Sequence, residues 1–124
     1  MPGKWEAFQR KTYRLEDLGR PALFYLPSHK LKIKQGDTTI EDSLHAFLLE
    51  NFDAFTTTLI PQFGVWRNDN NQIAYDECRQ YRVSFPGKER IPLLLEKLSE
   101  IAKTIDEKCI YVETGQYACL VYPN

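Results

Sequence analysis

The 124-residue chain has the length of one domain, and its 43% hydrophobic and 27% charged residues exclude a disordered protein. Sixteen basic and seventeen acidic side chains leave a net charge of -1, which excludes the global positive field of a general nucleic-acid binder. No apolar run approaches the ~18 residues of a membrane span, and the first ten residues lack the apolar segment of a secretory signal. We therefore expect a cytoplasmic protein with no membrane partner.

Residues 1–20 precede the first predicted strand as an N-terminal arm. Its aromatic residues Trp5, Phe8 and Tyr13 are suited to docking on a neighbouring subunit or on a partner protein. Segments 22–26 and 30–34 are predicted to form two short strands of a hairpin that turns at Pro27-Ser28-His29. The second strand alternates lysine with aliphatic residues, which is typical of an edge strand with one solvated face.

A helix is predicted from Thr38 or Thr39 to about Asn51, because each threonine is followed three residues later by a carboxylate and the apolar residues recur at three and four. Segment 55–66 has the composition of a strand bent at Pro61 or Gly64, and the Asn-rich segment 68–71 is predicted to turn it into a strand over 73–85. A second amphipathic helix from about Arg90 and a terminal hairpin of 110–113 with 117–122 follow.

This order contains a βαββαβ core. It predicts a single α+β domain of the ferredoxin-like type, a two-layer sandwich with two helices on one face of an antiparallel sheet. Such a fold hosts enzymes and binding modules alike, so the function has to come from particular side chains.

Three cysteines, Cys78, Cys109 and Cys119, are too few for a secreted disulfide framework and favour a reducing compartment. If the terminal hairpin turns at Thr114-Gly115, Cys109 and Cys119 face each other across the ladder. Two small buried thiols and a bonded pair are both compatible with that placement.

The strand over 73–85 carries the most informative side chains. Residues of one parity share a face, so Tyr75, Glu77, Arg79 and Tyr81 are predicted to continue the row of core residues. Charges in such a row mark a cavity mouth or an interface, or else a Glu–Arg pair satisfied between neighbouring strands. The preceding strand is predicted to bring Trp66 and Arg67 to the same region.

The resulting interpretation is a non-catalytic module, assembled as a homo-oligomer, that binds a small polar or anionic, nucleotide-like ligand. Its predicted ligand-binding residues are Trp66, Arg67, Tyr75, Glu77, Arg79 and Tyr81. One alternative is a protein–protein adaptor or inhibitor, because aromatic residues and arginine also dominate interface hot spots. A further alternative is a small enzyme with Glu77 as general base, assisted by Tyr75 or His45.

Established motifs for metals, cofactors and nucleophiles are absent from the sequence. It contains no phosphate-binding glycine loop, no nucleophile elbow and no closely spaced cysteine or histidine pair, so we expect no metal and no cofactor. His45 lies near the apolar stripe of the first predicted helix, where a structural or partner-contacting role is expected.

Part of the chain resembles a small bacterial protein family of unknown function. In that family a Thr-rich strand leads to a Gly-x-Trp-Arg element and then to a Glu-containing strand. The matching residues are Phe55-Thr56-Thr57, Gly64-Val65-Trp66-Arg67, and Glu77 two residues before Arg79. The sequence departs from the family at Gln62-Phe63, where an Arg-Phe-Pro-like step is usual. The resemblance spans roughly the C-terminal two-thirds of the chain and implies a fold at most, because the family has no established activity.

Overall fold

The computed structural model describes residues 5–85, 87–115 and 117–124. Its elements, in chain order, are β1 (Arg20–Pro27), β2 (Lys34–Gln35), β3 (Thr38–Thr39), α1 (Ile40–Phe52), β4 (Thr56–Thr57), β5 (Gln62–Arg67), β6 (Ile73–Phe85), α2 (Arg90–Thr104), β7 (Ile110–Thr114) and β8 (Tyr117–Val121). Short 3-10 helices lie at Glu6–Phe8 and Ser28–Lys30. Within these residues no helix has both the length and the apolar character needed to cross a membrane.

Six strands form one antiparallel sheet in the order β4-β6-β1-β7-β8, with β5 also paired to β6. β6 is the longest strand, and its second half pairs with β1 from Pro27 opposite Cys78 to Arg20 opposite Phe85. Its first half pairs with β5. Residues 62–67 and 73–77 therefore project beyond the end of β1 as a two-stranded hairpin, which we call the β5–β6 overhang.

Both helices pack on one face of the sheet and leave the other face, called the open face below, without a helix. Along β1 and β6 the buried positions alternate with exposed or half-buried ones, as expected for a sheet covered on one side. The core residues from the strands are Ala22, Phe24, Leu26, Tyr81, Val83, Phe85, Ile110 and Val112, and those from the helices are Ile40, Leu44, Leu48, Phe52, Leu94, Leu98, Ile101 and Ala102. The predicted α+β class with an antiparallel sheet and two helices is confirmed.

The two helices begin and end close to where the sequence predicts. Thr39 is the N-cap of α1, and its side-chain oxygen accepts a hydrogen bond from the Asp42 backbone N–H at 3.0 Å. The helix ends at Asp53, which takes a left-handed conformation with φ 67°. In α2, Pro92 lies in the first turn, where no intrahelical N–H bond is lost.

The predicted hairpin between 22–26 and 30–34 is wrong. β1 is instead paired with β6 along its whole length and with β7 from Ala22 to Phe24. The chain instead enters the 3-10 helix Ser28–Lys30, and Leu31 turns into the core. Of the predicted second strand only Lys34 lies in a ladder, opposite Thr39.

The predicted strand over 55–66 is interrupted rather than simply bent. β4 covers two residues, Thr56 and Thr57, and β5 begins at Gln62 after a break at residues 58–61. Pro61 lies in this break, consistent with its missing N–H donor.

The predicted apposition of Cys109 and Cys119 is also wrong. The terminal hairpin closes between Thr114 and Tyr117, so its register places Cys119 opposite Val112, and Cys109 precedes β7. All three cysteines are free thiols.

Candidate functional site

A cavity of about 700 Å³ lies on the open face of the sheet, within the size range of about 300–1,000 Å³ typical of small-molecule sites. Its walls come from β1, β5, β6 and β7 together with the segment that precedes β7. The overhang extends one wall beyond β1, which makes the open face concave at this end.

Aromatic rings supply much of the cavity wall. Tyr25 of β1 and Tyr111 of β7 are neighbours on the open face, with ring centroids 5.9 Å apart and planes inclined by 40°. Trp66 of β5 borders the same cavity from the overhang and is 49% exposed. Rings of this kind offer flat apolar surface on which a planar heterocycle can stack.

Asp76 is the acidic group of β6 that borders the cavity. It lies directly opposite Gly64, where an added Cβ would lie 3.9 Å from the Asp76 backbone oxygen and 4.0 Å from the Trp66 ring. Burial, with a smaller contribution from the charge of Glu107, raises the pKa of Asp76 above its ordinary value. Among the described residues no side chain forms a hydrogen bond or ion pair with this carboxylate.

The other charged groups around the cavity are bound within the protein, two of them in ion pairs. Glu107 binds Lys30 at 2.6 Å, and Lys108 binds Asp69 of the overhang turn at 2.9 Å. Arg67 donates to the Asn71 carbonyl at 3.1 Å. Asp76 and Arg67 are consequently the charged groups at the cavity that have no ion-pair partner among the described residues.

Cys78 borders the cavity next to Asp76 in the same row of β6. Its thiol lies 3.5 Å from the Gln62 carbonyl and donates to it. Burial, and to a lesser degree Asp76, raises the pKa of this thiol, so Cys78 stays protonated at neutral pH. It therefore acts as a soft, weakly polar lining group rather than as a nucleophile.

The structure separates the predicted site residues between the two faces of the sheet. Trp66 pairs with Ala74, and both lie on the open face, whereas Arg79 and Tyr81 continue the core-facing row. By its register with Ile73, Arg67 belongs to the same face as Arg79 and Tyr81, but it also borders the cavity. The structure therefore does not bring the six predicted residues into one site, and their roles in ligand binding remain predictions.

Arg79 is held by groups within the protein. It forms an ion pair with Glu41 of α1 in which both side chains are largely buried, 14% and 16% exposed. Its Nε also donates to the Thr58 carbonyl at 3.0 Å, and its guanidinium lies 5.5 Å from the centre of the Tyr81 ring. The Glu–Arg pair anticipated between neighbouring strands is not the one observed, because the acid that binds Arg79 is Glu41 of α1 and not Glu77.

Tyr81 and His45 extend this polar cluster into the core. The Tyr81 hydroxyl lies 3.0 Å from His45 Nε2, and the buried Tyr81 ring is stacked on Phe24 at 5.3 Å. Desolvation lowers the pKa of His45, so its neutral form is favoured at pH 7. These contacts give His45 a packing role between α1 and β6.

Tyr75 and Glu77 lie on the helix-side face of the overhang, beyond the region that the helices cover. Tyr75 is 68% exposed, and Glu77 is exposed opposite Phe63. Neither forms a side-chain hydrogen bond with any described residue. Both are accessible, but they face away from the cavity.

Asp76, Tyr25 and Tyr111 are cavity residues that the sequence analysis did not identify. The available signal was the alternation of side chains along each strand. Asp76 and Cys78 alternate with the predicted site residues of β6, and Tyr25 and Tyr111 alternate with the core residues of β1 and β7, so these four side chains point to the open face. The described residues contain no cluster of three or more histidine, cysteine, aspartate or glutamate side chains able to hold a metal ion.

No family model and no curated protein match the chain. Two solved structures have a similar fold. One, a phage SAM lyase in complex with S-methyl-5′-thioadenosine, is 15% identical, with a TM-score of 0.57 over 91% of this chain and 96% of that chain. The other, phage SAM lyase in the apo state, is also 15% identical, with a TM-score of 0.56 over 90% of this chain and 98% of that chain. At this identity the likeness shows the fold alone.

Proposed function

We propose that the open-face cavity binds a small nucleoside carrying a sulfur substituent at its 5′ position, as in S-methyl-5′-thioadenosine. The observation that carries the proposal is one cavity bordered by four aromatic residues, Tyr25, Phe63, Trp66 and Tyr111, and by the Asp76 carboxylate, which has no ion-pair partner among the described residues. The ligand of the phage SAM lyase structure supports the same chemical class.

Each part of such a ligand has a matching group in the cavity. A purine can stack on Tyr25, Tyr111 or Trp66, and such stacking contributes about 1–3 kcal/mol per base in nucleic-acid complexes. The ribose hydroxyls are donors that the Asp76 carboxylate accepts. A thioether fits the weakly polar wall at Cys78.

The charge of the cavity selects against phosphate. Lys108 and Arg67 are already bound to Asp69 and Asn71, whereas Asp76 repels an anion brought into the same partly buried space. A neutral nucleoside, or a cationic sulfonium, therefore fits better than the anionic, nucleotide-like ligand inferred from the sequence.

Calorimetric titration with S-methyl-5′-thioadenosine, adenosine and adenosine 5′-monophosphate tests this proposal. The first two compounds are expected to bind, and the monophosphate is expected to bind at least about tenfold more weakly because its charge is unfavourable beside Asp76. Tighter binding of the monophosphate, or no heat from either nucleoside, would contradict the proposal.

A second candidate function is turnover of S-adenosylmethionine. It is favoured by the near-complete coverage of two structures called SAM lyase and by Glu77, an accessible carboxylate. If Glu77 is a general base, Glu77→Gln should lower the release of S-methyl-5′-thioadenosine about 100-fold or more without changing the urea midpoint of unfolding. Equal release by the wild type and the variant would rule out this role, and no release by the wild type would rule out the turnover itself.

The strand order also supports the ferredoxin-like assignment. With β4 and β5 counted as one interrupted strand, the four strands of the βαββαβ core are β1, β4/β5, β6 and β7. Across the sheet their order is β7, β1, β6 and β4/β5, which is fourth, first, third and second in chain order. β8 then extends the sheet beyond β7.

A further inference from the structure

The helix-side face of the β5–β6 overhang is apolar and uncovered. Phe63, Val65, Ile73 and Tyr75 lie on it, and each is between 57% and 74% exposed. Leu59 and Ile60, in the break before β5, are exposed still further, at 89% and 81%. Contiguous apolar surface of this kind usually marks an interface.

The N-terminal segment carries a second uncovered apolar cluster. Trp5 and Phe8 pack edge to face with ring centroids 6.1 Å apart, and the Tyr13 hydroxyl donates to the Phe8 carbonyl. All three rings are about half exposed, between 46% and 57%. We call residues 5–13 the aromatic knob, because this short segment is held together by its own contacts and every residue in it is exposed.

The knob leaves the sheet at the end opposite the overhang. The chain enters β1 at Arg20, which pairs with Phe85, and Tyr75 lies ten residues away along β6, or about 33 Å at roughly 3.3 Å per residue. Tyr13 and Arg20 are seven positions apart in the chain, which spans about 25 Å at most. The helices also cover the sheet between the two places. The knob therefore reaches the overhang of a neighbouring copy more easily than its own.

The two surfaces carry opposite charges at several positions, although Arg67 belongs by register to the same face as Glu77, and Glu6 lies in the knob. Glu77 is exposed within the apolar face and has no side-chain partner among the described residues. The knob and the residue after it carry Arg10, Lys11 and Arg14, and of these Arg10 bonds only to the adjacent Gln9 carbonyl at 2.8 Å. Contacts between such groups contribute little affinity but help to fix the orientation of docking.

We propose that the aromatic knob of one copy docks on the helix-side face of the β5–β6 overhang of a second copy. Each chain carries both surfaces, so two reciprocal contacts close a dimer and a head-to-tail series closes a ring. Ile73 and Tyr75 lie on the face of the overhang opposite the cavity, whereas Phe63 and Val65 also border the cavity. The docking proposal does not rest on the proposed ligand.

Sedimentation velocity over a wide concentration range tests the proposal with the full-length chain. The wild type is expected to self-associate. Trp5→Ser combined with Phe8→Ser should raise the dissociation constant about tenfold or more, and so should Tyr75→Ser, because aromatic anchors carry most of the energy of an interface. Tyr117→Ser is the matched control: Tyr117 is also an exposed strand tyrosine, 71% against 68%, but belongs to β8 and to neither the knob nor the overhang.

Mixing the two weakened variants distinguishes this specific contact from non-specific association of exposed apolar surfaces. The knob variant keeps an intact overhang, and the Tyr75→Ser variant keeps an intact knob, so their mixture should form a complex that neither forms alone. A monomeric wild type at all concentrations, wild-type assembly by the knob variant, or no complex in the mixture would each overturn the proposal. Capture of a different protein by the knob of a monomeric chain would favour the adaptor alternative instead.

Discussion

Replacing Asp76 with asparagine is expected to weaken binding of S-methyl-5′-thioadenosine by roughly 10- to 100-fold, because hydrogen bonds to a charged group contribute about 1.5–3 kcal/mol. The carboxylate borders the cavity without an ion-pair partner among the described residues, and the amide that replaces it accepts hydrogen bonds less strongly. Isothermal titration calorimetry measures the change directly. Binding by the wild type should also weaken on acidification, with a midpoint above the ordinary aspartate pKa of 3.8.

Glu77→Gln is the matched control, because Glu77 is the adjacent acid of β6 and points to the opposite face. It should bind the nucleoside as the wild type does. If Glu77→Gln weakens binding and Asp76→Asn does not, the ligand lies on the helix-side face and the cavity assignment is incorrect.

The Asp76 substitution should not weaken the fold. Burial raises the pKa of Asp76, so the stabilisation from this group is fully present below its unfolded pKa and is lost as the pH rises through its folded pKa. At pH 7 the charged form is therefore a cost to the folded state, and Asp76→Asn removes it. The unfolding midpoint of the variant in urea is expected to equal or exceed that of the wild type.

Arg79→Ala should have the largest effect on stability, lowering the free energy of unfolding by about 3 kcal/mol. The substitution leaves the largely buried Glu41 carboxylate with Lys32, 2.5 Å away, as its remaining partner, and frees the Thr58 carbonyl. Urea unfolding monitored by circular dichroism measures the loss. Binding of the nucleoside at a temperature where the variant is folded should change little.

Arg82→Ala controls for the loss of an arginine from the same strand, since Arg82 is exposed, and its effect should stay within about 0.5 kcal/mol. If Arg79→Ala keeps wild-type stability and loses the ligand, Arg79 is a ligand-binding residue and not a link between α1 and β6.

Local patterns in the sequence predicted much of the fold. The Thr39 cap and the apolar stripe marked α1, and the turn at Asn68 to Asn71 marked the hairpin between β5 and β6. The errors arose where distant pairing decides the outcome. The 30–34 segment has a strand pattern, yet β1 pairs with β6 along its whole length and with β7 from Ala22 to Phe24, and the pattern of a short segment does not reveal these distant partners.

The site was harder to predict than the fold for a related reason. The alternation of side chains along β6 correctly placed Arg79 and Tyr81 in the core-facing row. The residues of β6 that border the cavity are Asp76 and Cys78, which point to the opposite face. The partner of Arg79 is Glu41, 38 residues earlier, so no spacing along β6 could indicate that the arginine is already paired. The resemblance carried by Gly64 to Arg67 remains a prediction.

The most direct test of the central claim is a titration of isotope-labelled protein with S-methyl-5′-thioadenosine followed by NMR. We expect the Trp66 indole N–H and the backbone amides of Gly64, Asp76 and Tyr111 to shift in proportion to occupancy, because these residues border the cavity. Shifts centred instead on Ile73, Tyr75 and Glu77, or a spectrum unchanged at saturating nucleoside, would contradict the proposal that the open face of the sheet binds the ligand.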